Sequence, residues 1–237
     1  MSNKRIDLWS TSFSSIAYIT TSHTDFSKYD TLVWCEFDDM YKLPKFVAKC
    51  LEYDIKPICG VTFRLKTPDK CLISEIVVKC YAMDEEGTSE LEFLYSRGED
   101  GLIEYKDFCL FSKHLQVGID LILGEIEMIA MENILETVFV PDFVIIDENQ
   151  GSFRSWKKCQ KLLGDKKVLI CGGGFNMYKS MDDGTVLDDF NFLGDKAYEY
   201  VIENPRRIAD RISGNYRFDV SLIEKIEEEK KWRRCCF

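Results

Sequence analysis

Glu36-Phe37-Asp38-Asp39 places three carboxylates within four positions, directly after the apolar run Leu32-Val33-Trp34-Cys35. Oxygen ligands gathered this closely suit Mg²⁺, so Glu36, Asp38 and Asp39 are candidate metal ligands. A solvated acidic loop is the favoured reading of the same residues, and Asp38 or Asp39 suits the N-cap of a helix starting near Tyr41. A second stretch with chemical potential is "VLICGGGFN", in which Gly172, Gly173 and Gly174 follow a strand-like run. Glycines there can cradle a phosphate, but Met177 stands where the dinucleotide fingerprint needs a third glycine. A tight turn at the strand's end is the other reading.

Histidine chemistry is scarce, because the chain holds only His23 and His114. His23 sits in the polar stretch "TTSHTDFS", and His114 follows a helix-like run that it is placed to cap. Neither has a serine or cysteine in a triad-like arrangement. Trp232-Arg233-Arg234 combines the residue types that dominate binding hot spots, and reads equally as a frayed helix end.

The elements that must position these residues follow from periodicity. Strand patterns cover 6–9, 31–35, 56–65, 138–146 and 167–171. Helical spacing covers 41–53, 101–113, 125–136, 153–163 and 195–212, the last interrupted at Asn204-Pro205. Residues 71–83 and 90–95 read as an antiparallel pair joined by the turn "DEEGTS". Repeated strand-then-helix order predicts an α/β fold with a largely parallel sheet. Residues 1–215 form the expected main domain. Residues 216–237 form a charged helical tail set apart from it, acidic first and basic last, as the helix dipole favours.

A hydrophobic content of 46% and an aromatic content of 13% are those of a packed globular chain and do not indicate disorder. A net charge of −10 opposes a phosphate backbone, so direct duplex DNA binding is not expected. Lys157-Lys158 with Lys161, and Arg206-Arg207 with Arg211, are local basic groups that fit solvated helix faces. The ten cysteines lie mostly in apolar runs without metal-site spacing, and the first residues lack a secretory apolar core. A reducing, cytoplasmic setting is expected, with no membrane span. "RRCCF" lacks the prenylation spacing.

The segment 39–65, "DMYKLPKFVAKCLEYDIKPICGVTFRL", resembles the loop, helix and strand after the second metal motif of PHP (polymerase and histidinol phosphatase) domains. The likeness is to bacterial DNA polymerase III alpha subunits. A second segment, 187–213, "LDDFNFLGDKAYEYVIENPRRIADRIS", resembles the closing segment of the PHP module in the PolC type. The two lie in the family's order, and the likeness extends from Ile6 to about Ser213, loosely over 84–149. No polymerase segment or inserted exonuclease accompanies them.

The resemblance implies a distorted (β/α)7 PHP-type barrel. Active members hold two or three metal ions with histidines and carboxylates at strand ends, and the ions activate water against a phosphoester. Carried over residue by residue, the first His-x-His motif falls on Trp9-Ser10-Thr11. The Asp-His motif falls on Glu36-Phe37, the strand glutamate on Thr62, and a late histidine on Phe175. The former metal-site positions are therefore Trp9, Thr11, Glu36, Phe37, Thr62 and Phe175, and two histidines outside these motifs cannot rebuild the site. Trp9, Phe37 and Phe175 are expected to fill the barrel mouth with rings.

This implies a catalytically inactive domain with no metal and no other cofactor. It would act through contacts with replication proteins, a polymerase or a proofreading exonuclease, or mimic the domain that makes them. A phage or mobile-element origin suits such a stand-alone copy. The alternative is a divergent phosphoesterase or nuclease using Glu36, Asp38 or Asp39 with Mg²⁺ or Mn²⁺.

Overall fold

The computed structural model describes residues 5–7, 29–120, 133, 141–146, 168–171 and 191–236. Its centre is the unit predicted from the alternation of apolar runs. β2 (Tyr29–Phe37) leads through α1 (Leu43–Glu52) to the parallel β3 (Lys56–Lys66), with Thr31 opposite Lys56 and Phe37 opposite Thr62. α1 starts at Leu43 with Pro44 in its first turn, where a missing N–H costs nothing. Its Leu43, Phe46 and Cys50 recur at helical spacing and are buried against the sheet.

β1 (Arg5–Asp7) pairs parallel to β2 on the outer side. β4 (Glu75–Ala82) runs antiparallel to β3, with Thr62 opposite Lys79. β6 (Leu115–Asp120) runs antiparallel to β4. β7 (Phe143–Ile146) and β8 (Val168–Cys171) follow in parallel. The short β5 (Leu102–Glu104) extends the sheet beside the end of β3. All strands but β4 therefore point the same way, and the C-terminal ends of β2 and β3 lie on one edge. This is a mixed α/β fold. Among the described residues no pairing joins β1 to β8, so the sheet is open along the order β1-β2-β3-β4-β6-β7-β8, and the closed barrel implied by the resemblance is not seen.

Two readings between residues 71 and 120 are corrected. The stretch "DEEGTS" is not a hairpin turn but the start of α2 (Glu85–Arg97). Asp84 caps that helix by accepting from the Gly87 N–H at 2.9 Å, Glu85 and Glu86 favour its dipole, and Thr88, Leu91, Leu94 and Tyr95 bury one face. Residues 101–113 are not one helix. They form β5 and then the short α3 (Tyr105–Leu110), because Ile103 is drawn into the sheet core.

Near the end of the chain, a 3₁₀ segment (Asn191–Lys196) and a π turn (Glu199–Glu203) precede α4 (Asn204–Arg211). The interruption falls where Pro205 has no N–H to give the preceding turn. α5 (Val220–Cys236) is the charged tail, and it is docked on the domain: Ile223 and Ile226 are buried in the same core as Trp34, Phe46, Leu91 and Tyr95. The opposite sheet face buries Val33, Cys35, Ile58, Tyr81 and Phe143 against Ile208, Ala209 and Ile212 of and beside α4. Burial on both faces explains why β2 and β3 are apolar almost throughout.

The cysteines follow the same logic. Cys35, Cys50, Cys59 and Cys80 are buried as thiols, and burial pushes the Cys50 thiol up to about 12. Among the described residues no helix is long and apolar enough to cross a membrane.

Candidate functional site

The acidic loop begins where β2 ends. Asp38 adopts a left-handed backbone (φ 46°), which aspartate tolerates better than most residues, and its N–H still reaches the Thr62 carbonyl at 3.1 Å. The chain thereby reverses without leaving β3, with Glu36 and Asp39 turned toward one lysine and Asp38 toward another. Asp39 accepts from the Tyr41 N–H at 2.9 Å, a local turn contact; α1 itself has no side-chain N-cap, so the expected capping role is not taken.

Each carboxylate meets a lysine. Lys42 Nζ lies 3.4 Å from Glu36 and 3.5 Å from Asp39. Glu36 is almost fully buried. Burial pushes its carboxyl above the usual range, Lys42 pulls it back, and the Asp39 charge adds to the rise. Asp38 pairs with Lys230 of α5, a contact between side chains that are only 3% and 8% exposed. The Lys230 ammonium also sits 3.6 Å from the centroid of the Tyr95 ring. Tyr95 donates its hydroxyl proton to Glu227, one turn before Lys230. The loop that looked like a site awaiting a cation is thus already opposed by cations belonging to the chain.

A buried lysine also lies on the other sheet face. Thr62, the position that the resemblance gives to a metal-binding glutamate, lies 3.4 Å from the Cys35 thiol. Across the β3–β4 register its neighbour is Lys79, an almost fully buried lysine. Burial pushes the Cys35 thiol up while the Lys79 charge pulls it down. Phe37 is 51% exposed rather than sunk in a mouth, and its ring leans on the backbone of Gly101. Trp9, Thr11, Phe175 and the glycines 172–174 lie outside the described residues, so the expected cluster of three rings has no structural counterpart to compare.

His114 is not a C-terminal helix cap. It stands just before β6, with Nδ1 3.3 Å from Asp84 and 3.4 Å from Glu86. The three residues could face one cation, since their ligand atoms lie within 4.8 Å of one another. Asp84 is already committed to capping α2 and to this ring, however, so the trio is accounted for as a helix-end ion pair. The hydrogen bond to Asp84 raises the His114 pKa. The Asp84 pKa is lowered: desolvation opposes the shift, and the Gly87 N–H and His114 outweigh it.

The signs define a window. The contribution of His114 is complete below the ordinary histidine range, about 6.5, and is lost as pH rises through its raised folded value. That of Asp84 is complete above the ordinary carboxylate range and is lost as pH falls through its lowered folded value. Titration of the His114 ring by NMR is expected to give a pKa above that of a free histidine, and Asp84→Asn is expected to bring it down. An unchanged value in the variant would remove the pair.

Sequence reasoning missed Lys42, Lys79, Tyr95 and Lys230. Only Lys230 left a signal: it lies seven residues after Ile223 and four after Ile226, on the stripe that helical spacing assigns to the buried face. No family model matches the chain, and no curated protein matches it.

Proposed function

We propose that this chain is a catalytically inactive PHP-like domain that acts by protein contacts in DNA replication, in the cytoplasm. Its partner would be a replicative polymerase or a proofreading exonuclease, or the chain mimics the domain those proteins bind. The open sheet is read as part of a distorted (β/α)7 barrel, with the reversed β4 as a local departure. The observation that carries the loss of catalysis is the placement of lysines. Lys42 and Lys230 oppose the carboxylates of the acidic loop, and Lys79 lies beside Thr62. A buried ammonium repels a divalent cation at close range, so these lysines remove the reason for a metal to enter. The replication assignment rests on the likeness of 39–65 and 187–213 to polymerase modules. Capture of the tagged full chain with replisome extracts is expected to enrich a polymerase or exonuclease subunit. Recovery of neither contradicts the assignment.

One observation favours the second reading, a phosphoesterase or nuclease with Mg²⁺ or Mn²⁺. The Oε1 atom of Glu36 is buried and meets no hydrogen-bond donor among the described residues. Metal-dependent phosphoester hydrolysis that Glu36→Ala abolishes would establish that reading in place of the first.

A further inference from the structure

α5 lies between α2 and the 38–41 loop, and the contacts of residues 219–233 with residues 92–99 rise along both segments in one direction. The Asp219 N–H before it donates to Glu92 at 2.7 Å, Glu227 meets Tyr95, and Arg233 lies 3.6 Å from Glu99. Ile223, Ile226 and Lys230 are its buried side chains among those described. Of its other described side chains, Glu227 is half-buried and the rest, mostly charged but with Val220, Leu222 and Trp232 among them, are exposed. Among the described side chains of α5, two buried aliphatic residues give a thin apolar seam. The position of the helix is therefore set by its polar contacts, above all Lys230 with Asp38 and Tyr95.

The segment before α5 is tied down independently. Ser213 N–H reaches the Met83 carbonyl at 2.7 Å. The Tyr216 hydroxyl accepts from the Cys59 N–H at 3.1 Å and donates to the Ala82 carbonyl at 3.4 Å. The helix can consequently leave at Asp219 without unravelling the strands behind it.

We propose that the groove α5 occupies is the partner-binding surface of the chain, that its ligand is an amphipathic helix from another protein, and that α5 is an internal occupant which such a helix displaces. The occupant specifies the ligand. It carries aliphatic side chains at positions i and i+3, an acid at i+4 to accept from Tyr95, and a lysine at i+7 to meet Asp38 over the Tyr95 ring. This is helix-in-groove recognition with a charged final anchor. The proposal rests on the reading of the chain as a binding domain and adds the place and chemistry of binding. A foreign helix of this pattern exposes the outer surface of α5, including Trp232, which is 70% exposed already.

The test uses a fluorescent synthetic peptide with the sequence of residues 219–234 and the full-length chain. The full chain with Lys230→Met is expected to bind the peptide saturably, and the wild-type chain at least tenfold more weakly because its own helix competes. A peptide carrying Lys230→Met is expected to bind neither. Amide exchange over residues 220–234 is expected to be faster in the Lys230→Met chain than in the wild type. Equal binding by the two chains, no binding by a variant whose α5 has been released, or an α5 that stays fully protected in the variant would each overturn the proposal. A variant that doubles in mass by light scattering would assign the groove to a second copy and overturn it as well. If Lys230→Met does not fold, Ile226→Ala replaces it with the same readouts. No replication protein takes part, so failure here leaves the capture experiment standing, and an empty capture leaves the groove standing.

Discussion

Replacement of Lys230 by methionine is expected to destabilise the chain by about 3–5 kcal/mol, the usual cost of removing one partner of a buried ion pair. The reason is what remains. The Asp38 side chain is 3% exposed, close to Asp39 and Glu227, and loses its nearest cation. It must then take up a proton or be uncovered by departure of α5. The second route sets a ceiling, because the loss cannot exceed the free energy with which α5 docks. Asp38→Asn alone leaves the ammonium over the Tyr95 ring and is expected to cost less. Asparagine also accepts the left-handed backbone at this position. The double variant is expected to cost clearly less than the two single losses combined, and a double-mutant cycle by urea denaturation reads that coupling. A single-variant loss below about 1 kcal/mol would reduce the contact to an ordinary surface pair.

Gly87→Ala is the second large effect, and two principles assign it opposite signs. Within a helix, alanine is favoured over glycine by about 1 kcal/mol, which predicts a gain. The first turn of α2, however, is pressed against β4 and the chain before β6. A Cβ at Gly87 would stand 2.3 Å from the His114 carbonyl oxygen and 3.1 Å from the Ala82 Cα. Both are backbone atoms, and the His114 carbonyl is held by the Met83 N–H at 3.0 Å. Neither can rotate away as a side chain would. Overpacking of this kind costs about 1–3 kcal/mol and exceeds the gain in propensity, so the variant is expected to be less stable. The displaced carbonyl also carries the His114 ring, so the raised pKa of His114 should fall toward the ordinary value. A more stable variant with an unchanged His114 titration would show that the helix start does not sit where it is described.

The β2–α1–β3 unit was legible because the apolar runs and the Leu43, Phe46, Cys50 spacing carry one message at short range. Residues 71–120 were not. "DEEGTSELEFLYS" contains Gly87 and Thr88, poor helix formers, and β-branched or aromatic residues that suit a strand as well. What decides for a helix is the Asp84 cap together with burial of Leu91, Leu94 and Tyr95 against a sheet that local sequence does not reveal. β6 was hidden for a related reason. "LQVGID" is short and broken by Gly118, and it is held by β4 on one side and β7 on the other. That glycine is required by tertiary contact, since a Cβ there would stand 2.0 Å from the ring of Phe143.

The site divides in the same way. The carboxylates of residues 36–39 were visible as a cluster, but their partners were not. Lys230 is 192 residues from Asp38 along the chain, and Lys79 meets Thr62 only through strand register. A cluster of acids reads as a metal site until the cations that face it are known. Composition shows that histidines are few, and topology is needed to show which cations face the carboxylates.

Lys42 and Lys230 face the carboxylates of the acidic loop at the end of β2, where a metal would otherwise have to balance them. The most direct measurement is metal content after purification without chelator, followed by calorimetric titration of the full chain with Mn²⁺. Well below one equivalent of bound metal is expected, with no saturable Mn²⁺ binding tighter than roughly millimolar. Stoichiometric metal that is lost on Glu36→Ala would contradict this and restore the loop as a catalytic centre.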